Sequence, residues 1–155
     1  MSTTTTETVD TRSQEEYDSY CRQKDSAQAS YDTQDSYVAE LEEKLGRLKT
    51  AYTEMKALKE AVEDDWKYDV KGCYKDYNSG GYHYKGVKYD KMVSDVDGDI
   101  KFNYNWLAER LDIMLDAIGD LKTEYENKII DEKYILADLL KALNSWWDKV
   151  KNYWN

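Results

Sequence analysis

From Tyr17 to Trp66, apolar and aromatic residues return at alternating steps of three and four. The positions are Tyr17, Tyr20, Lys24, Ala27, Tyr31, Gln34, Val38, Leu41, Leu45, Leu48, Tyr52, Met55, Lys59, Val62 and Trp66. Twelve of these fifteen are apolar or aromatic, so they form one seam along one face of a helix. The spacing predicts a helix over 13–66, opened by Ser13 and Glu16 in capping-box positions. A helix of that span is about 80 Å long, and a single seam cannot hold it together alone in water. It needs a second helix, from its own chain or from another. The seam also changes character along its length. Tyr17 to Gln34 is rich in Tyr and Ala and includes Lys24 and Gln34, whereas Val38 to Met55 is densely aliphatic. The first half is either the weaker packer within the chain or the part that awaits another protein.

A second seam follows through Tyr89, Val93, Val96, Ile100, Leu107, Met114, Ile118, Leu121, Tyr125, Ile129, Leu136, Leu139, Leu143, Trp146, Val150 and Tyr153. Gly98 and Gly119 each cost about 1 kcal/mol relative to alanine inside a helix. Gly98, between Asp97 and Asp99, marks the start of the continuous segment, which predicts a helix over 99–154. An antiparallel hairpin brings the aromatic end of this helix beside the Tyr-rich start of the first. Trp147 and Trp154 lie off the seam, so one partner helix cannot bury both, and exposed tryptophans are favoured interface anchors. A partner-binding surface is therefore expected at Tyr17, Tyr20, Tyr31, Leu139, Leu143, Trp146, Trp147 and Trp154.

Between the two seams, over 67–98, the helical period fades. The segment gathers Gly72, Gly80, Gly81 and Gly86 with the single histidine, His83. Asn78-Ser79-Gly80-Gly81 is a turn signal between Tyr-rich flanks that have the pattern of a short β-hairpin. A structureless loop of this length is uncommon, so the first helix should overrun Trp66 or the second should start near Gly86. The expected fold is all-α: an elongated antiparallel hairpin of two long helices around an irregular Tyr/Gly-rich bend. Residues 1–12 form a Thr-rich mobile tail, and 13–155 a single domain.

Composition agrees with this picture. The chain has no proline and is 35% charged, as suits long solvated helices. Fifteen Tyr and five Trp supply broad apolar faces with one polar handle each, a combination suited to packing against a partner. The net charge of −10 disfavours nucleic acid and anionic membrane as partners, despite the Lys- and Tyr-rich bend. MSTTTTETVD lacks the apolar core of a cleavable signal peptide. No stretch approaches the about 18–20 apolar residues of a membrane span. The expected location is the cytoplasm, unless a route independent of a cleaved signal exports the protein.

Candidate chemistry is sparse. Asp95-Val96-Asp97-Gly98-Asp99 has the look of a calcium loop. With Gly98 at the obligatory glycine, however, Val93 and Tyr104 occupy positions that require carboxylates, and starting at Asp95 puts Trp106 at the bidentate position. A solvated helix start accounts for the aspartates better. Cys21 lies too far along the first helix to bridge Cys73 or to share a zinc ion with it and His83. His83 has no second histidine or nucleophile beside it and reads as an exposed loop residue. No metal, cofactor or catalytic constellation is expected, and the function is one of binding.

Tyr84-Lys85-Gly86, with Tyr89 and Met92 following, resembles the Trp-x-Gly turn of the WXG helical hairpins of type VII secretion. Leu41-x-x-Lys44-Leu45-x-Arg47-Leu48 with Ala51, and the heptads from Ile118 to Leu143, extend the likeness. They make the chain similar to the small helical partners encoded beside LXG-domain toxins of Gram-positive bacteria. The resemblance implies a turn at Tyr84, Gly86 and Tyr89. It further implies a targeting chaperone that binds the helical LXG domain of a toxin, with room for a second small helical partner. Such a protein stays in the cytoplasm or is co-exported with its partner by the type VIIb system. The family's export signal is an aromatic residue followed four positions later by an acid. That pattern occurs at Tyr31-x-x-x-Asp35 in the first arm, so the effective signal would come from the toxin or another partner. A self-assembling structural coiled coil and an immunity protein that binds a toxin's catalytic domain are the alternatives, and the first makes homo-oligomerisation an open question.

Overall fold

The computed structural model describes residues 13–71, 91 and 93–155. The fold is an all-α helical hairpin. Helix α1 spans Gln14–Asp64 and continues through a π-helical turn, Asp65–Val70. A second π-helical turn, Val96–Ile100, leads into α2, Lys101–Lys151. Among the described residues there is no strand. The proposed tail 1–12, the turn residues Tyr84, Gly86 and Tyr89, the possible β-hairpin, Cys73 and His83 lie outside the described residues. At both margins of the bend the helical backbone goes further than the bounds 13–66 and 99–154, and the overrun of Trp66 is one of the two outcomes that the length of the bend called for. It passes Trp66 into Val70, and residues 93–95 are already helical upstream of Gly98.

The paired helices divide into two compact units, one of residues 13–42 with 127–155 and one of 43–71 with the segment up to Glu126. In both, α1 and α2 run antiparallel. The first unit buries Val38 and Leu41 on α1 and Ile129, Leu143 and Tyr153 on the second arm, and the second buries Leu111 and Leu115. All fifteen seam positions predicted for α1 are buried or half-buried. The three polar members of that seam are each satisfied locally or across the hairpin. The Lys24 ammonium lies 4.8 Å from the Trp147 ring and 3.0 Å from Asp25. The Gln34 side-chain amide donates to the Glu132 carboxylate (2.7 Å), and Lys59 pairs with Asp112 and with Glu63. A polar layer of this kind fixes register where an apolar seam alone would allow slippage.

In α2 the seam runs differently between 100 and 122. Tyr104, Ala108, Leu111, Leu115, Ile118 and Lys122 face α1, whereas Ile100, Leu107, Met114 and Leu121, predicted for the seam, are exposed. Both choices obey helical spacing, because this half of α2 is apolar around much of its circumference. The shape of α1 decides between them. Leu111 and Leu115 fill the interface, and the Lys122 ammonium caps the Tyr52 ring at 5.2 Å. Gly119 faces the Tyr52 ring, and a Cβ there would sit 3.9 Å from it, in ordinary van der Waals contact.

Candidate partner-binding surfaces

The α1 start and the α2 end, both in the first unit, are built around one hydroxyl. The Ser13 hydroxyl accepts the Glu16 backbone N–H (3.2 Å), which is the N-cap half of a capping box. The reciprocal half is missing. The Ser13 N–H instead donates to the Tyr153 hydroxyl (2.9 Å), and the Glu16 carboxylate accepts the hydroxyls of Tyr153 and Tyr20, each at 2.8 Å. These bonds hold the Glu16 carboxyl below its ordinary range, the Tyr153 hydroxyl contributing most. Tyr153 is pushed up by burial and by Glu16, and Tyr20 is pushed up chiefly by its bond to Glu16.

Around that hydroxyl the rings interlock. Tyr17 packs at 5.7 Å on Tyr153 and 5.8 Å on Trp154, while Tyr20 lies 6.0 Å from Trp146 and edge-on to Tyr153 at 5.5 Å. The Lys149 ammonium sits over Trp146 at 3.9 Å. The structure thus brings Tyr17, Tyr20, Trp146 and Trp154 into one cluster that is largely packed on itself. Leu143 is buried, and Tyr31 and Leu139 are half-buried within the hairpin. Trp147 and Trp154 each keep 49% of their surface exposed.

A larger apolar surface lies elsewhere. Of the fifteen exposed large hydrophobic residues among those described, thirteen lie from Ile100 onward and only Leu58 and Tyr68 belong to the first arm. The signal was present in the sequence as adjacent apolar pairs, Trp106-Leu107, Ile113-Met114 and Ile129-Ile130. Neighbours in a helix point about 100° apart, so a single partner helix cannot cover both members of such a pair.

The polar features are modest. Asp95 to Asp99 lie in helical and π-helical backbone rather than in a loop. Among the described residues no group of three or more His, Cys, Asp or Glu side chains converges as metal ligands. Cys21 is a free thiol. A depression of about 650 Å³ runs past Lys141, Asn144, Ser145, Asp148, Lys149 and Asn152, all on one helix and open to solvent. No described helix is long and apolar enough to cross a membrane. In comparisons with known proteins, no family model, curated protein or solved structure matches the chain.

Proposed function

We propose that this chain is a helical partner protein whose hairpin adds to the helices of another protein. The reading places it with the small partners of LXG-domain toxins, as a targeting chaperone that covers the toxin's N-terminal helical domain before type VII export. The observation that carries the proposal is the asymmetry of exposed apolar surface, thirteen large side chains from Ile100 onward against two before the bend. Apolar side chains concentrated on one helix of a hairpin are what a further helix packs against. Tyr134 adds support. It is well exposed and precedes Asp138 by four positions, so the aromatic-plus-acid pattern expected to be missing from the second arm is present there, and the expectation that the signal comes from the toxin or another partner no longer follows.

The test is co-purification with the separated halves of the toxin encoded beside this gene. Capture by the N-terminal helical half, giving a heteromeric complex on light scattering, is the expected result. Capture only by the catalytic half would make the chain an immunity protein. Homo-oligomers that grow with concentration and ignore both halves would make it a structural coiled coil.

A further inference from the structure

One edge of the first unit has two walls of unlike chemistry. On α2, Lys133, Leu140, Trp147 and Trp154 each follow a seam residue by four positions. On α1 the corresponding row is Cys21, Gln28, Asp35 and Glu42. The two rows line the same shoulder, because Lys133 pairs with Glu42 and the Lys24 ammonium sits 4.8 Å from the Trp147 ring. The α2 wall is apolar: Leu140 is 42% exposed, and Trp147 and Trp154 each 49%. Ile130, three residues before Lys133 and so on the same side of the helix, is 53% exposed.

The α1 wall is acidic. Asp18, Asp25 and Asp32 lie three residues before Cys21, Gln28 and Asp35, so four exposed aspartates share this side of α1. Neither row of that wall holds a lysine or arginine between Gln14 and Glu42. Asp25 is tied to Lys24 at 3.0 Å, whereas Asp18 and Asp32 accept only the neutral side-chain amides of Gln14 (2.9 Å) and Gln28 (2.8 Å). Setting Asp18, Asp25, Asp32, Asp35 and Glu42 against Lys24, Lys133 and Lys151 leaves the shoulder at −2, with all of its negative charge on α1.

An apolar wall beside an acidic one selects its occupant. A helix with an apolar stripe meets the tryptophans, and lysine or arginine on the adjoining flank meets the aspartates. From Ile130 to Trp154 the apolar wall runs about 36 Å, room for about six turns. A second copy of this chain fits poorly, since symmetric docking would set the aspartates against themselves or bury them on tryptophan.

We infer that the shoulder between Asp18–Asp35 and Ile130–Trp154 is a docking groove for an amphipathic partner helix that is apolar on one face and basic along one flank. The inference rests on the partner-protein reading and names the surface and the chemistry of the helix it takes.

The experiment titrates the full chain with two fluorescent synthetic peptides that share a leucine stripe, one flanked by lysine and the other by glutamate. The lysine-flanked peptide should bind at least about tenfold more tightly, with the advantage shrinking as salt rises. Any basic peptide is drawn to a chain of net charge −10, so the variants decide. Leu140→Ser with Trp147→Ser should weaken binding about tenfold or more, whereas Ile113→Ser with Met114→Ser, on exposed residues of the second unit, should not. Asp18→Asn, Asp32→Asn and Asp35→Asn together should weaken it at least about threefold more than Glu54→Gln, Asp120→Asn and Glu124→Gln, which remove the same charge from the second unit. All these side chains are exposed, and an unchanged helical circular dichroism spectrum would verify that the variants fold. Equal losses from the two charge triples would overturn the inference, as would self-association of the wild-type chain that Trp147→Ser abolishes. Running the variants against the toxin halves separates this inference from the broader one. Capture of the N-terminal half that survives Leu140→Ser with Trp147→Ser leaves the partner function standing and removes the groove. Groove-dependent peptide binding without capture of either half does the reverse.

Discussion

The hydroxyl of Tyr153 and the carboxylate of Glu16 lie 2.8 Å apart, across 137 residues of sequence. Glu16 should satisfy the Ser13 N–H if the capping box were complete, but Tyr153 takes that N–H and the carboxylate together. A hydroxyl has one proton to give, so its bond to the carboxylate is the stronger of its two donor options, and Ser13 O at 3.0 Å is the weaker. Closure of the helix start thus depends on the end of the other helix.

Tyr153→Phe keeps the ring and removes the hydroxyl. The expected outcome is a lower thermal midpoint by circular dichroism and faster hydrogen exchange over residues 13–20. Glu16→Gln alone should also destabilise, and the two changes together should cost less than their sum. Strict additivity would show that the hydroxyl and carboxylate act independently.

The same pair predicts a pH response. Glu16 is held below its ordinary value of 4.5, so the folded chain binds that proton more weakly than the unfolded chain. Its stabilising contribution is present above that value and is lost as pH falls through the depressed folded pKa. Tyr20 and Tyr153 are raised above 10, so their contribution is present below pH 10 and is lost as pH rises through the raised folded values. The gap in thermal midpoint between wild type and Tyr153→Phe should be flat from about pH 6 to 9 and narrow on both sides. A gap that stays constant as the pH falls would show that the effect does not come from the bond to the Glu16 carboxylate.

How far these features were legible follows from what a heptad can and cannot encode. In α1, apolar residues are sparse enough for only one face to satisfy the spacing, and all fifteen positions from Tyr17 to Trp66 turn inward. In the first half of α2, two faces satisfy it, and Leu107, Met114 and Leu121 compete with Leu111, Leu115 and Ile118. Nothing local to α2 decides between them. Complementarity with Tyr52 and the Lys59–Asp112 pair does, and neither can be seen within one helix's own sequence. The aromatic meeting of Tyr17 and Tyr20 with Trp146 was foreseeable from antiparallel pairing alone. The exposure of Leu107, Met114 and Leu121 was not, because they satisfy the seam spacing as well as the residues that turn inward.

Gly46 offers a test of helix α1 that touches no contact. A Cβ added there meets nothing within 4 Å, and the site lies mid-helix. Gly46→Ala should stabilise the fold by about 0.5–1 kcal/mol, because glycine surrenders the most backbone entropy on folding. Urea titration should show a higher midpoint with an unchanged slope. A changed slope would mean that the unfolded ensemble had been altered as well.

The Gln34–Glu132 layer provides the last test, since it separates stability from specificity. Gln34 is a seam position of α1, Glu132 is half-buried between the α2 seam residues Ile129 and Leu136, and the amide donates to the carboxylate at 2.7 Å and to the Glu132 carbonyl at 3.3 Å. Gln34→Leu alone strands a half-buried carboxylate and should destabilise by about 1–3 kcal/mol. Adding Glu132→Leu removes the stranded group and restores an apolar seam, so the double variant should match or exceed wild type in urea. It should also lose discrimination, because a leucine layer packs against any similar seam, including that of a second copy. Analytical ultracentrifugation of the double variant should therefore show more self-association than wild type at equal concentration. If the double variant is both more stable and equally monomeric, the layer does not serve register, and the three polar seam positions need separate explanations.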